Sequence, residues 1–154
     1  MTALSLLAAL VTLAVVKRPR TVPLSQCSEL YQRYHKVKGI EASYIQDFAL
    51  NDSTTVNVTV LKATDSAMFV YLLTSLGKSE DYVRYLNQNH PAGTRFVGIR
   101  EKDRSMQAMD DGSQPDKDIV AYSPIKKTVV VFHVETQELF DIILLGNLRK
   151  NIDI

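Results

Sequence analysis

The chain of 154 residues is predicted to form an α+β domain, with about five strands in a mainly antiparallel sheet, helices packed on one face, and an apolar helix in front. Three observations predict this class. The spacing of apolar residues changes from the helical period of 3.6 to the strand period of 2 and back. Turn residues separate these segments. Two neighbouring strands alternate apolar and polar residues, which is typical of an antiparallel sheet covered on one side.

An apolar segment opens the chain. Residues 3–16 carry no charge, and the basic cluster at residues 17–20 follows directly. The segment is shorter than the ~20 residues that a helix needs to cross a bilayer, and it is similar to the core of an export signal. We therefore expect a signal or membrane anchor over residues 1–20 and a single α+β domain over residues 21–154. A buried structural helix is the alternative for this segment, and the basic charge behind it would favour a cytoplasmic C-terminal side if it stayed in a membrane.

The first element of the domain is predicted to be a helix that begins at Ser25 and ends at Gly39. Cys27 would lie on its apolar face, because the apolar residues recur at helical spacing: Leu30, Tyr31, Tyr34 and Val37. Lipidation of Cys27 is the alternative, since Leu24-Ser25-Gln26-Cys27 is similar to the box before a lipidated bacterial cysteine. The core position is favoured because Gln26 stands where that box needs a small residue.

Two strands follow the change of period. Residues 40–45 and 54–61 alternate apolar and polar side chains, and Asn51-Asp52-Ser53 supplies the turn between them. In the second strand we expect Val56, Val58 and Val60 to face the core and the residues between them to face outward.

Two helices and a third strand come next. Thr64 or Asp65 is predicted to begin a helix that ends at Gly77, and Ser79 to begin another that ends before Pro91. Residues 95–99 are predicted as a strand with Val97 and Ile99 facing inward.

The last part of the domain is predicted to be a loop, a hairpin and a helix. Residues 101–118 are polar and contain turn residues, which indicates a loop. Residues 119–122 and 128–134 are predicted to pair as a hairpin, and Thr136 to begin the final helix.

The first helix and strand carry a family resemblance. Leu30-Tyr31 through Tyr34, followed by Lys38-Gly39-Ile40-Glu41-Ala42-Ser43-Tyr44-Ile45, resembles the opening of a family of small exported Gram-negative bacterial domains of unknown function. The resemblance covers residues 29–150, and the second half matches in element order. It implies an exported address, periplasmic or membrane-tethered in the bacterial envelope. It implies no reaction, so no catalytic residue is carried over.

Charge and composition exclude several classes of function. The net charge is +1, and removing Lys17, Arg18 and Arg20 with the leader leaves 15 basic against 17 acidic residues, a net charge of −2. A domain without an excess of basic residues lacks the positively charged surface that binds the phosphates of a nucleic acid, so nucleic acid is not expected as a partner. Membrane contact is expected only through residues 3–16.

The sequence shows no motif for catalysis, a metal or a cofactor. The three histidines, His35, His90 and His133, have no zinc-site spacing, and the single cysteine cannot form a zinc cluster. A nucleophile elbow and a glycine-rich phosphate loop are missing. The densest acidic group lacks the spacing of a calcium loop and is expected to be solvated: Asp110, Asp111, Asp116 and Asp118.

The last strand is apolar on both faces. With Thr128, Val130, Phe132 and Val134 towards the core, Val129, Val131 and His133 lie on the opposite face, where Phe96 and Tyr122 can join them. We expect these five residues to form an open sheet face that binds a protein partner or a second copy of the chain. Shielding of this face by residues 101–118 or by the leader helix is the alternative.

The sequence therefore predicts an exported or envelope-associated domain without an evident catalytic site, which binds a protein or itself. The competing hypothesis is a small hydrolase with a discontinuous site around His133, in which Glu135 or Glu41 serves as the carboxylate. A concave pocket that contains a carboxylate within hydrogen-bond reach of His133 would favour the hydrolase, and a flat, convex sheet around His133 would exclude it.

Overall fold

The computed structural model describes residues 22–91, 95–102 and 117–144. The helices are a 3-10 turn at Leu24–Gln26, then α1 (Glu29–Tyr34), α2 (Ser66–Ser75), α3 (Glu80–Gln88) and α4 (Gln137–Ile142). The strands are β1 (Ile40–Ala49), β2 (Thr55–Ala63), β3 (Phe96–Glu101), β4 (Lys117–Ser123) and β5 (Thr128–His133). They form one five-stranded antiparallel sheet in the order β1-β2-β5-β4-β3, which confirms the predicted α+β class and antiparallel sheet.

Two predictions fall on residues outside those ranges. The leader at residues 1–20 and most of the predicted loop, residues 103–116 with Asp110, Asp111 and Asp116, lie outside the described residues. Within the described ranges, no helix is long and apolar enough to span a membrane.

The central strand β5 is buried on both of its faces. Val129 and Val131 belong to an apolar cluster beneath α1, α2 and α3, whereas Val130 and Phe132 belong to a second cluster on the other face, against which α4 packs. All four side chains are at most 2% exposed. The expectation that helices pack on one face is therefore wrong. Since residues 129–132 of β5 are all apolar, neither of its faces can stay in water without a large cost in free energy.

Helix ends follow the predicted capping residues. Asp65, Ser79 and Thr136 each accept a hydrogen bond from the backbone N–H three residues later, and they begin α2, α3 and α4. Gly39 and Gly77 have φ of +94° and +99°, the left-handed conformation that glycine adopts most easily after a helix. The predicted starts of α2, α3 and α4 and the end of α2 before Gly77 are confirmed, whereas α1 ends at Tyr34 and not at Gly39.

The first helix begins later than predicted. Its capping residue is Ser28, whose hydroxyl accepts a hydrogen bond from the Tyr31 N–H at 3.1 Å, and not Ser25, which lies in the 3-10 turn. Cys27 precedes the helix and is half-buried, with its sulfur 3.5 Å from the Pro23 carbonyl oxygen. The expected position of Cys27 on the core face of the helix is therefore wrong, because the chain does not become helical until Glu29.

The faces of β3 are the reverse of the prediction. Phe96 faces the helix-covered side and stacks on Tyr122, whereas Val97 and Ile99 are 38% and 43% exposed. The physical reason is that β3 lies at the edge of the sheet, and the second cluster ends at the neighbouring strand β4. A strand pattern shows which residues share a face but not which face is covered.

Burial of β5 on both faces predicts the effect of a matched pair of substitutions. Val129→Thr and Val130→Thr should each lower the free energy of unfolding by roughly 1–3 kcal/mol, because each buries a hydroxyl among apolar groups. Ile125→Thr, at a 42% exposed turn residue, should change it little and serves as the control. Urea unfolding followed by circular dichroism measures this. Destabilisation by only one of the two valine variants would contradict burial on both faces.

Candidate functional site

A row of polar side chains crosses the helix-covered face of the sheet at the end of β5. Asn57 lies opposite His133 in the β2–β5 pairing, and Arg100 lies opposite Asp118 in the β3–β4 pairing. His133 Nδ1 lies 3.4 Å from Asp118 Oδ2, which joins the two halves. We call these four residues the polar row.

Asp118 is the buried charge of the polar row. It is 2% exposed, and its Oδ1 accepts a hydrogen bond from the Val134 N–H at 3.1 Å. The Lys102 ammonium lies 3.5 Å from Oδ1, and the Arg100 guanidinium 3.8 Å from Oδ2. These partners compensate a carboxylate that would otherwise be costly to bury. The assignment of Asp118 to a solvated loop is wrong, because it is a residue of β4 whose side chain has the same orientation as Val120 and Tyr122.

Two hydroxyl groups extend the polar row towards α1. Thr59 Oγ1 lies 2.5 Å from His133 Nε2 and 2.5 Å from Ser28 Oγ. Because Asp118 lies beside Nδ1, a neutral imidazole places its proton there and leaves Nε2 to accept from Thr59. Thr59 can then accept from Ser28. We call Ser28, Thr59, His133 and Asp118 the hydroxyl–imidazole chain.

Sequence reasoning missed the role of Thr59. The residue was expected to face outward from β2, but it is completely buried between the sheet and α1. The predicted alternation along β2 is correct: Val58 and Val60 lie in the second cluster, and Thr59 between them faces the opposite, helix-covered side. A polar residue in a strand that is buried on both faces needs partners, and pairing with β5 supplies one of them.

The five predicted partner-binding residues share one face, but that face is closed. Val129 and Val131 are 0% exposed and Tyr122 is 1% exposed beneath the helices. Phe96 packs against the same cluster, and the His133 side chain, 19% exposed, lies at its rim. The expectation of an open sheet face at these positions is therefore wrong, because α1, α2 and α3 cover this side of the sheet.

The carboxylate beside His133 is Asp118. Glu41 and Glu135, which were considered for that role, are both exposed. Glu41 alternates with Ile40 and Ala42, two residues of the helix-covered cluster, so it belongs to the other face. The carboxylate that the structure places beside His133 is therefore Asp118, and not Glu41 or Glu135.

Tyr122 is held between the sheet and α3 by contacts with its ring and its hydroxyl. Its hydroxyl lies 3.1 Å from the hydroxyl of Tyr82, its ring stacks on Phe96 at 5.9 Å, and the Lys78 ammonium lies 5.8 Å from the ring centre. Burial raises the pKa of Tyr122 well above its ordinary value, and the hydrogen bond with Tyr82 raises it further. Burial lowers the pKa of the Lys78 ammonium. Tyr122 is therefore a neutral phenol that anchors α3 to the sheet.

The two edges of the sheet differ in how they are protected. β1 has an irregular register between Ile45 and Phe48, and Asp47 there has φ of 56°. Bulges of this kind twist an edge away from further pairing. β3 pairs with β4 in regular register from Phe96 to Glu101, and its exposed side chains are Val97, Ile99 and Glu101. We call these three side chains and the outer backbone of β3 the β3 edge.

No family model, no curated protein and no solved structure matches this chain. The resemblance to small exported bacterial domains and the lipidation of Cys27 therefore stay predictions. Among the residues that the structure describes, no group of three or more histidine, cysteine or acidic side chains has the arrangement of a metal site.

The charge balance of the polar row predicts a large effect of one neutral substitution. Asp118→Asn leaves the Arg100 guanidinium, whose side chain is 9% exposed, without its buried partner, which should cost about 3 kcal/mol of unfolding free energy. Asp141→Asn, at an exposed carboxylate that accepts from Gln137, is the matched control and should cost little. Chemical denaturation of both variants measures the difference, and equal stabilities would contradict the role assigned to Asp118.

Proposed function

We propose that this chain is a self-associating domain of the bacterial envelope, in which two copies pair through the β3 edge. The observation that carries the proposal is a regular, exposed edge strand whose sequence is complementary to itself. The helix-covered face, where Val129 and Val131 are buried, has no part in this association.

Self-complementarity follows from the antiparallel register centred on Gly98. Val97 of one copy then faces Ile99 of the other, so that the exposed apolar side chains cover each other on the same side of the joined sheet. Arg95 faces Glu101 at both ends of the pairing. Moving the centre to Val97 or Ile99 loses these matches, because Ile99 would then face Arg95 and Val97 would face Glu101, respectively.

A second copy fits this edge better than an unrelated partner does. A two-fold axis through the paired Gly98 residues uses each match twice, as an interface between identical surfaces requires. Val97 and Ile99 extend the face that carries the second apolar cluster, since they lie opposite Ala121 and Ile119 of β4. Pairing would therefore continue both the backbone ladder and the apolar layer. The bulged edge of β1 offers neither.

The envelope address rests on the apolar segment at residues 3–16 and on the family resemblance. It is a proposal about the leader, independent of the dimer.

The dimer predicts different outcomes for two equally exposed isoleucines. Ile99→Lys should convert the protein to a monomer, because it places a charge in the centre of the apolar contact, and lysine is a common guard of sheet edges. Ile125→Lys, at a 42% exposed turn residue, should leave the dimer intact; Ile99 is 43% exposed. Light scattering coupled to size exclusion over a range of concentrations gives the masses. A monomeric unmodified chain, or a dimeric Ile99→Lys variant, would contradict the proposal.

The register predicts a charge-exchange result. Arg95→Glu and Glu101→Arg should each weaken the dimer, because like charges then face each other across the pairing. The combined Arg95→Glu/Glu101→Arg variant should regain dimerisation. The dissociation constants come from sedimentation equilibrium. If the combined variant is weaker than both single variants, the Gly98-centred register is wrong.

The address predicts where the chain accumulates. The full-length protein expressed in a Gram-negative cell should be recovered from the envelope fraction, with N-terminal sequencing showing either a start near residue 21 or a retained leader. Recovery of the intact chain from the cytosol would contradict the envelope address and leave the dimer to its own tests.

A further inference from the structure

The Arg100 guanidinium is largely buried and has charged neighbours but no hydrogen-bond acceptor. Its side chain is 9% exposed, and its carboxylate partners are Asp118 Oδ2 at 3.8 Å and Glu29 Oε2 at 3.9 Å. Both distances suit an ion pair, but they exceed the roughly 2.7–3.2 Å of an N–H···O hydrogen bond. Within the described ranges, the N–H donors of this guanidinium therefore have no acceptor within hydrogen-bond reach.

These donors are open to a molecule from outside. Every side-chain nitrogen that is closed to solvent among the described residues has a hydrogen-bond partner, so the guanidinium nitrogens of Arg100, which lack one, must touch solvent. A guanidinium that is held in a largely buried position and still reaches solvent can receive an acceptor from a bound molecule. Its planar fork of donors matches the oxygens of a carboxylate or a phosphate.

Lys78 brings a second cation to the same face of β3. Its ammonium lies over Gly98, where an added side chain would collide with it, and 5.8 Å from the centre of the Tyr122 ring. Burial lowers the pKa of Lys78, and among the described residues no carboxylate pairs with it to oppose that effect. Gly98 and Arg100 are two residues apart on one face of the strand, about 7 Å along its axis. The two cations therefore approach one short stretch of β3.

The charges around Arg100 leave an excess of positive charge. Each of the two carboxylates beside the guanidinium also pairs with another cation. The surrounding charges are two carboxylates, at Asp118 and Glu29, and four cations, at Lys78, Arg100, Lys102 and Arg33. A phosphate monoester carries about −1.5 to −2 charges near pH 7 and would balance this excess, whereas a single carboxylate would balance half of it.

We propose that Arg100 and Lys78 bind a phosphate group, either free or carried on a small organic molecule. The guanidinium donates to phosphate oxygens through its fork, and the Lys78 ammonium adds a second charge-assisted contact. Asp118 and Glu29 hold the guanidinium by charge. The ligand is a small solute, because only about a tenth of the Arg100 side chain is exposed. The hydroxyl–imidazole chain engages Asp118 from His133 and takes no part in binding.

The phosphate site is independent of the proposed dimer. Gly98 and Arg100 face the helix-covered side of the sheet, whereas the apolar contact of the dimer comes from Val97 and Ile99 on the opposite side. Failure to bind phosphate leaves the dimer proposal standing, and a monomeric chain still offers the same site.

The test is titration calorimetry of the full-length protein with inorganic phosphate at about pH 7.5, where the dianion predominates. We expect a dissociation constant below about 1 mM from a forked contact and a second cation. A parallel titration with glycerol 3-phosphate distinguishes the two sources of the group. Tighter binding than that of inorganic phosphate would assign a phosphate monoester, and weaker binding would assign free phosphate. Absence of binding in both titrations would overturn the proposal.

Three substitutions that each remove one positive charge separate the site from general charge attraction. Lys78→Gln breaks no ion pair and should weaken phosphate binding about 10-fold, and Arg100→Gln should weaken it about 100-fold because the forked contact is lost. Arg84→Gln, at a 63% exposed arginine that pairs with Glu80, is the matched control and should bind as the unmodified chain does. Circular dichroism checks the fold of each variant. Unchanged affinity in folded Lys78→Gln, or equal losses in all three variants, would overturn the proposal.

Discussion

The burial of β5 on both faces is the constraint on which the rest of the structure depends. Its side chains alternate between two apolar clusters, so each face of the sheet needs its own cover. Three helices pack on one side and α4 packs on the other. With β2 and β4 on either side, β5 also satisfies its backbone groups within the sheet. In the part of the chain that the structure describes, the two outermost strands of the sheet are therefore β1 and β3.

The same central strand explains where a polar site can exist. On the helix-covered face the apolar layer continues as far as Val131, and the next position along β5 is His133. There the neighbouring strands contribute Asn57 and Asp118, and Ser28 comes from the capping position just before α1. Burial makes an unpaired polar group expensive, so every member of this group has a partner at close range. A closely connected network of this kind holds its side chains in fixed positions.

Much of the fold could be predicted from the sequence because the signals are local. Asp65, Ser79 and Thr136 begin helices by capping the next turn, and Gly77 ends one by taking a positive φ. What failed depends on distant pairing. The alternation in β2 and β5 is correct, but helices cover the face that was expected to be open. Thr59 and Asp118 were interpreted as solvated because they are polar, although each continues the inward side of a strand. Their roles depend on the order β2-β5-β4, which brings together residues up to 74 positions apart.

Hydrogen exchange followed residue by residue tests this account most directly. The amides of residues 129–132 should exchange only through global unfolding at every protein concentration, whereas the outward amides of β3 should exchange rapidly in dilute protein and become protected as the concentration rises. That result would agree with a β5 that is buried on both faces and a β3 that is an edge strand in the monomer. Rapid exchange in β5, or an edge at β3 that is protected even in dilute protein, would contradict it.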